Sequence, residues 1–271
     1  MIWLNGTLCA AASARIDPSD RGLLLGDGIF ETILVKAGVP RHLSRHYARL
    51  RAGAALLRLA LPLDAAAFGA ALSVTAQANQ VGDGVIRLTL TRGPGLRGIM
   101  PSLDQPATIL ITATKLAPVT ALAAPVRVVI ARDSQRDAAS PLSRIKSLNY
   151  LPNILARFEA TDRDAEDAIL LNHLGFVAEA SAANLFLYSQ GAWFTPPVAD
   201  GALPGICRQI LIEAGMVAEA RLSRNDLFAA DALCLGNVLG VRAISHLEGK
   251  ALAGDSAACA RLVLALAQSH R

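Results

Sequence analysis

Lysine is scarce in this chain: of 26 basic residues only four are lysines, Lys36, Lys115, Lys146 and Lys250. Aromatic residues make up only 4%, too few for the ring platforms on which single-stranded nucleic acids stack. The net charge of +4 comes mostly from dispersed arginines. It reads as surface charge with a few anion contacts, and no nucleic-acid partner is expected. The four cysteines, Cys9, Cys207, Cys234 and Cys259, lie far apart. Without a C-x-x-C pair, zinc and thioredoxin-type sites are excluded, and no metal is expected. No apolar run approaches the roughly 18 residues of a membrane-spanning helix, and Asn5-Gly6 interrupts the start too early for a signal peptide. These absences lead to the expectation of a soluble, cytoplasmic protein with reduced thiols and no membrane partner.

What is present is material for a core. The 271 residues, 53% hydrophobic and 18% charged, exclude a disordered chain and suit one large domain or two modest ones. Ile2-Trp3-Leu4, Asn5-Gly6 and Thr7-Leu8-Cys9 read as a hairpin, because Asn-Gly suits a tight turn between apolar strands. Apolar spacing predicts a strand over 29–35, helices over 42–60 and 64–80, and strands over 85–91 and 108–114. The Ala/Pro-rich stretch 118–125 predicts a linker between a small N-terminal α+β domain, 1–117, and a larger C-terminal domain, 126–271. There, strands at 126–131, 167–172, 176–177, 184–188 and 232–236 accompany helices at 148–161 and 205–214. The fold class is α+β in two domains, and a cleft between domains is a common place for a small-molecule site.

Of the four lysines, Lys146 has the least surface-like setting, in Ile145-Lys146-Ser147-Leu148-Asn149 between an apolar strand and an apolar helix. An amine at the edge of a core is costly unless neutral, paired or covalently used. A Schiff base with an aldehyde cofactor is one such use; a head that reaches water along its own stem is the ordinary alternative. Pyridoxal 5'-phosphate would need three more things: an acid that keeps its ring nitrogen protonated, a phosphate cup of amides and an arginine, and a wall for the ring. Glu179, among the small and apolar residues from Phe176 to Asn184, is the candidate acid, since a desolvated carboxylate favours a cationic partner. An acid facing water at a strand end is the plainer option. Leu203-Pro204-Gly205-Ile206-Cys207 starts a helix after a Pro-Gly turn, and the free amides of a helix start bind phosphate. Gly236-Asn237-Val238 ends a strand with further amide donors, and Arg49 has the reach of a phosphate ligand.

Taken in order, these pieces resemble the fold-type IV pyridoxal-phosphate enzymes, the class IV aminotransferase family. That family holds branched-chain and D-amino-acid aminotransferases, (R)-amine transaminases and 4-amino-4-deoxychorismate lyase. The similarity runs over nearly the whole chain through Gly26-Asp27-Gly28-Ile29-Phe30-Glu31-Thr32, His46-Tyr47-Ala48-Arg49-Leu50, Thr91-Arg92-Gly93, Ile145-Lys146-Ser147-Leu148-Asn149, Glu179 to Phe186 and Leu203-Pro204-Gly205-Ile206. The resemblance implies two domains, each a mixed or antiparallel sheet or barrel with flanking helices, the cofactor in the interdomain cleft, and a homodimer. It implies Lys146 as Schiff-base lysine and proton carrier, with Glu179 at the ring nitrogen. Arg49, Ile206, Cys207, Asn237 and Val238 would lie at the phosphate, and Leu203 against the ring. Relatives often place a hydroxyl at the positions of Cys207 and Val238, so here backbone amides would serve.

The reaction is read from two places. Branched-chain enzymes resemble Phe-Glu-Gly at Phe30-Glu31-Thr32, and D-amino-acid enzymes usually carry valine third. The lyases carry threonine, whose hydroxyl assists protonation during elimination. Thr32 also suits a strand by propensity alone. Arg92-Gly93-Pro94-Gly95-Leu96-Arg97-Gly98 resembles the lyase loop; Arg97 can grip a substrate carboxylate in bidentate fashion, with Phe30 beside the substrate. Ile99 stands where D-amino-acid enzymes have a histidine, although Lys146-Ser147-Leu148-Asn149 is shared with that branch. The expectation is an aminodeoxychorismate lyase that releases pyruvate and 4-aminobenzoate for folate biosynthesis. The alternative is a class IV transaminase acting on D- or branched-chain amino acids.

Overall fold

A computed structural model of the chain describes residues 1–102, 104–116, 124–254 and 256–269. The chain divides into two compact units, Met1–Pro118 with Ile145–Asn149, and Val119–Arg144 with Tyr150–Arg271. The linker expected at 118–125 lies outside the described residues as far as 123.

In the first unit β1 (Ile2–Leu4) and β2 (Thr7–Cys9) form the predicted hairpin, with Asn5 at φ 48° and Gly6 at φ 96°. A single helical turn, α1 (Arg21–Leu25), starts where the Asp20 carboxylate accepts from the Gly22 amide and ends at Gly26, φ 65°. Then come β3 (Gly28–Lys36), β4 (Val39–Pro40), α2 (Leu43–Leu57), α3 (Ala65–Ala78), β5 (Gly84–Thr91) and β6 (Thr108–Lys115). The sheet is antiparallel throughout, in the order β2-β1-β6-β5-β3-β4. Strand alternation sends Ile29, Ile33, Ile86, Leu88, Leu90, Ile109 and Ile111 into one core with Leu50, Phe68 and Leu72 of the helices. Each such side chain contributes about 1.5–3 kcal/mol over exposure. The same alternation leaves Phe30, Thr32, Arg87 and Thr89 on the opposite face.

The second unit runs β7 (Val126–Ile130), α4 (Leu151–Asp162), β8 (Asp167–Leu171), β9 (Val177–Ala180), β10 (Asn184–Ser189), β11 (Ala192–Thr195), α5 (Ile206–Glu213), β12 (Val217–Glu219), α6 (Arg224–Ala229), β13 (Ala232–Asn237), β14 (Gly240–Leu247), β15 (Lys250–Ala251) and α7 (Ser256–Ser269). Its nine-stranded mixed sheet has the order β12-β11-β10-β13-β14-β7-β8-β9, with β15 on β14. Helix α4 begins later than predicted, at Leu151. Pro152 sits in its first turn, where no N–H is needed and the fixed φ is already helical. This helix packs Ala156 and Ala160 against Val129 and Ala168. It leaves its larger residues Leu151, Ile154, Leu155 and Phe158 exposed, at 71%, 43%, 58% and 61%. Among the described residues no helix is long and apolar enough to cross a membrane.

Candidate active site

Four of the sequence pieces meet in the first unit. Residues 146–148 lie along β3 as a short antiparallel bridge: the Phe30 amide donates to the Lys146 carbonyl at 2.9 Å and the Leu148 amide to the Gly28 carbonyl at 3.0 Å. This approach requires glycine at 28. A Cβ there would stand 2.5 Å from the Leu90 carbonyl oxygen and 2.8 Å from Leu148 Cδ1. Asn149 adds a bond from Nδ2 to the Gly26 carbonyl at 3.2 Å. The Lys146 side chain, half-buried, places Nζ 4.4 Å from the centroid of the Phe30 ring. Arg87 packs on the same ring, Cζ at 3.8 Å, and its residue pairs across the strands with Thr32. Phe30, Thr32, Arg87 and Lys146 thus cluster on or against one sheet face.

Behind that face lies a buried charge network. Glu31, 1% exposed, accepts from Arg49 Nε at 2.8 Å and Nη2 at 2.6 Å, and lies 2.7 Å from His46 Nδ1. Burial alone pushes the Glu31 carboxyl up, but the Arg49 guanidinium, with help from His46, outweighs it and holds the group at about 2. Burial pushes the His46 imidazole down, against the pull of Glu31, and the charges of Arg49 and Lys146 push the same way. A neutral His46 donates from Nδ1 to Glu31, while its buried Nε2 has no hydrogen-bond partner. Arg49, expected at the phosphate, therefore gives two of its N–H groups to Glu31. A second network joins Arg21 and Arg92 on Asp27 at 2.9 and 2.8 Å. Arg21 also ties down the carbonyls of Gly98 and Ile99 at 2.7 and 2.6 Å. The loop so anchored carries Arg97, which is exposed and makes no hydrogen bond or ion pair among the described residues.

The second unit gathers the other candidates. Glu179, 6% exposed on the buried strand β9, accepts from the Leu203 amide at 2.9 Å and lies 3.1 Å from Arg136 Nε. Asn184, at the start of β10, the next strand along the chain, holds the Leu203 carbonyl at 2.9 Å. The cap of α5 is Gly205, with no side-chain acceptor, so the first-turn amides at Ile206 and Cys207 have no side-chain cap. The Cys207 side chain turns inward, 1% exposed, and burial pushes its thiol up to about 12. It supplies neither charge nor nucleophile, so only its amide is available to a phosphate. Gly236 packs against Cys207: a Cβ on it would lie 3.2 Å from the sulfur. Asn237 follows, donating to the Ala182 carbonyl at 3.2 Å and accepting from the Leu239 amide at 2.9 Å. Val238 packs onto the cluster of Ile206 and Cys207. A buried carboxylate beside an uncapped eight-residue helix forms a donor set that fits a cationic ring carrying a phosphate. Among the described residues no cluster of His, Cys, Asp or Glu could hold a metal ion.

Several residues in these networks carry no sequence-based assignment, among them Glu31, His46, Arg87 and Arg136. The first two lay within quoted motifs; an acid inside an otherwise apolar strand is the signal that marks Glu31.

The sequence model of amino-transferase class IV matches residues 28–247. A Methanocaldococcus jannaschii protein provisionally named a branched-chain-amino-acid aminotransferase is 33% identical over 258 residues, covering 93% of this chain and 89% of that one. The D-alanine aminotransferase of Bacillus licheniformis is 27% identical over 272 residues, 93% of this chain and 89% of its own. Among solved structures, the 4-amino-4-deoxychorismate lyase from Pseudomonas aeruginosa superposes with a TM-score of 0.83 at 31% identity over 97% of both chains. The chain belongs to the class IV aminotransferase family, which depends on pyridoxal phosphate, and its two α+β units have the fold-type IV architecture. It is an enzyme of that family, a transaminase or a lyase, with a small-molecule substrate.

Proposed function

We propose that the protein is a pyridoxal-phosphate-dependent 4-amino-4-deoxychorismate lyase, with Lys146 as the cofactor-bearing lysine and Glu179 as partner of the ring nitrogen. The observation that carries the choice of lyase is Thr32: it shares a sheet face with Phe30, against whose ring the Lys146 amine rests at 4.4 Å. When bound, the cofactor offers an aldehyde to the substrate amine and a cationic ring that accepts an electron pair from the adjacent carbon. Lys146 Nζ then takes the proton from the amine-bearing carbon. The Thr32 hydroxyl passes a proton to the departing three-carbon fragment, which leaves as pyruvate while the six-membered ring becomes aromatic. Arg87 places a guanidinium beside Thr32 for a substrate carboxylate, and Arg97 offers a second from its loop. Leu203 would lie against the ring. Arg49 and the amides of Ile206, Cys207, Asn237 and Val238 would receive the phosphate.

The relatives named above as aminotransferases favour a second reading, transamination of D- or branched-chain amino acids. One assay separates the two: pyruvate and 4-aminobenzoate from aminodeoxychorismate, beside keto-acid formation from a panel of D- and L-amino acids. Lyase turnover that falls about 10²-fold in Thr32→Val, with any alanine transamination less affected, supports the lyase; equal losses in both remove the reason for preferring it. A wild-type protein that takes up no cofactor reducible by borohydride onto Lys146 ends both readings.

We also infer a cytoplasmic homodimer. Helix α4 turns alanines inward and a Leu-Ile-Leu-Phe stripe outward, the reverse of what a solvated helix does. Sedimentation of the wild type as a monomer would overturn this.

A further inference from the structure

Arg136 sits where three pieces of the second unit join. Its Nε lies 3.1 Å from Glu179 Oε1 and donates to the Gly201 carbonyl at 3.2 Å, while Nη2 donates to the Ser143 carbonyl at 3.2 Å. The backbone fixes where the guanidinium starts. The Arg136 amide donates to the Leu171 carbonyl at 2.9 Å, residue 136 bridges to Asn172, and Gly201, at φ 102°, passes so close that a Cβ on it would lie 3.2 Å from Arg136 Cβ. The side chains of Arg136 and Glu179 are 17% and 8% exposed. The pair is therefore shielded from water and rigidly placed, and its field is felt nearby.

A structural ion pair would be explanation enough if Glu179 had no other work. Under the proposed function it has: a carboxylate and a ring nitrogen share one proton. That proton can rest on the ring, giving carboxylate and cation, or on the acid, giving two neutral groups. A guanidinium ion-paired with the carboxylate stands nearer to it than to any ring it holds, so it stabilises the anion more than it repels the cation. We propose that Arg136 is a positioning residue for Glu179, keeping it an aimed carboxylate so that the shared proton stays on the cofactor ring. The proposal rests on the reading of Glu179 as partner of the ring nitrogen.

The test loads wild type, Arg136→Gln, Arg136→Lys and Glu179→Gln with pyridoxal phosphate labelled with 15N in the ring. It records the 15N shift, the cofactor dissociation constant and the thermal midpoint. The wild type is expected to show a protonated ring nitrogen. In Arg136→Gln the shift moves towards unprotonated pyridine, cofactor affinity drops about tenfold, and kcat falls more than KM changes. Arg136→Lys restores part of the shift, since an ammonium keeps the charge but loses the fork that meets the Gly201 and Ser143 carbonyls. An Arg136→Gln protein with a lower thermal midpoint and a wild-type 15N shift overturns the proposal. In that case loss of the ring proton in Glu179→Gln leaves the reading of Glu179 standing, and its retention there removes that reading as well. Should Arg136→Gln not fold, Arg136→His decides, because its charge can be switched off by pH in one folded protein. A ring signal that follows the imidazole's titration supports the proposal, and one indifferent to it overturns it.

Discussion

In the first unit, two carboxylates hold four basic side chains: Glu31 takes His46 and Arg49, and Asp27 takes Arg21 and Arg92. In the second unit Glu179 accepts from the Leu203 amide and is ion-paired with Arg136, and the helix start beside it offers backbone N–H groups under a bare glycine cap. A side-chain network works only if every partner is present, because a buried charge left alone is costly. A backbone cradle accepts almost any side chain that packs. Under the proposed function Cys207 and Val238 would offer only their amides, so packing alone constrains their side chains, whereas the Gly28, Glu31 and Arg49 positions have no such latitude.

The largest effect that can break this contrast is chemical. Lys146→Ala is expected to lower turnover by more than ~10³-fold with little change in circular dichroism or melting. The bond that seats residue 146 on β3 comes from its carbonyl, which alanine keeps. Turnover within about tenfold of wild type would remove Lys146 from the mechanism.

Next comes the acid limb of stability. Glu31 is held at about 2 against an ordinary 4.5. A depressed carboxyl stabilises the fold in full above about pH 4.5, and the contribution is lost as pH falls towards 2. Linkage puts it on the order of 3 kcal/mol. His46, pushed below its ordinary 6.5, works in the same direction: below pH 6.5 the unfolded chain takes a proton that the buried ring refuses. Urea midpoints measured from pH 7 to 3 should fall steeply in wild type. In Glu31→Gln they should start lower and fall less between pH 4.5 and 3. A parallel curve for the variant would mean that other groups carry the acid sensitivity.

Smaller still is the glycine comparison. Gly28→Ala should cost about 1–3 kcal/mol of stability, because the new methyl group meets the Leu90 carbonyl and Leu148. Gly205→Ala meets the Asn184 side chain, which holds the Leu203 carbonyl. It should weaken cofactor affinity while costing less stability than Gly28→Ala. Equal losses of stability in the two variants would blur the distinction between the units.

What the sequence discloses follows the same line. The hairpin of β1 and β2 is legible because Asn5-Gly6 is a local signal. Lys146 and Glu179 are legible because a charged residue among apolar neighbours breaks the pattern. Arg87 is not, since in alternating β5 it occupies an ordinary polar position; only the register that places it opposite Thr32 reveals it. Arg136 hides in Arg132-Asp133-Ser134-Gln135-Arg136-Asp137, a run with the look of a solvated loop. Strand β14 escapes prediction because its pairing shifts between Ile244 and His246, which breaks the two-residue period. Helix α7 also carries no sequence-based assignment, although its buried Ala258, Cys259, Leu262 and Leu266 recur at helical spacing.

The smallest predicted effect isolates burial from charge. Glu166, in the second unit, is also drawn down to about 2, by side-chain and backbone hydrogen bonds from Arg127. Yet the two side chains are 41% and 50% exposed, where Glu31 is 1% exposed. Water and salt screen the exposed pair, and its long side chains lose entropy to hold it. Glu166→Gln should therefore shift stability by less than ~0.5 kcal/mol, and less again at high salt, against the order of 3 kcal/mol for Glu31→Gln. Urea midpoints of both variants at pH 7, in low and high salt, check this directly. A Glu166→Gln protein as destabilised as Glu31→Gln would mean that the geometry of the pair, and not its removal from water, sets what such a carboxylate contributes.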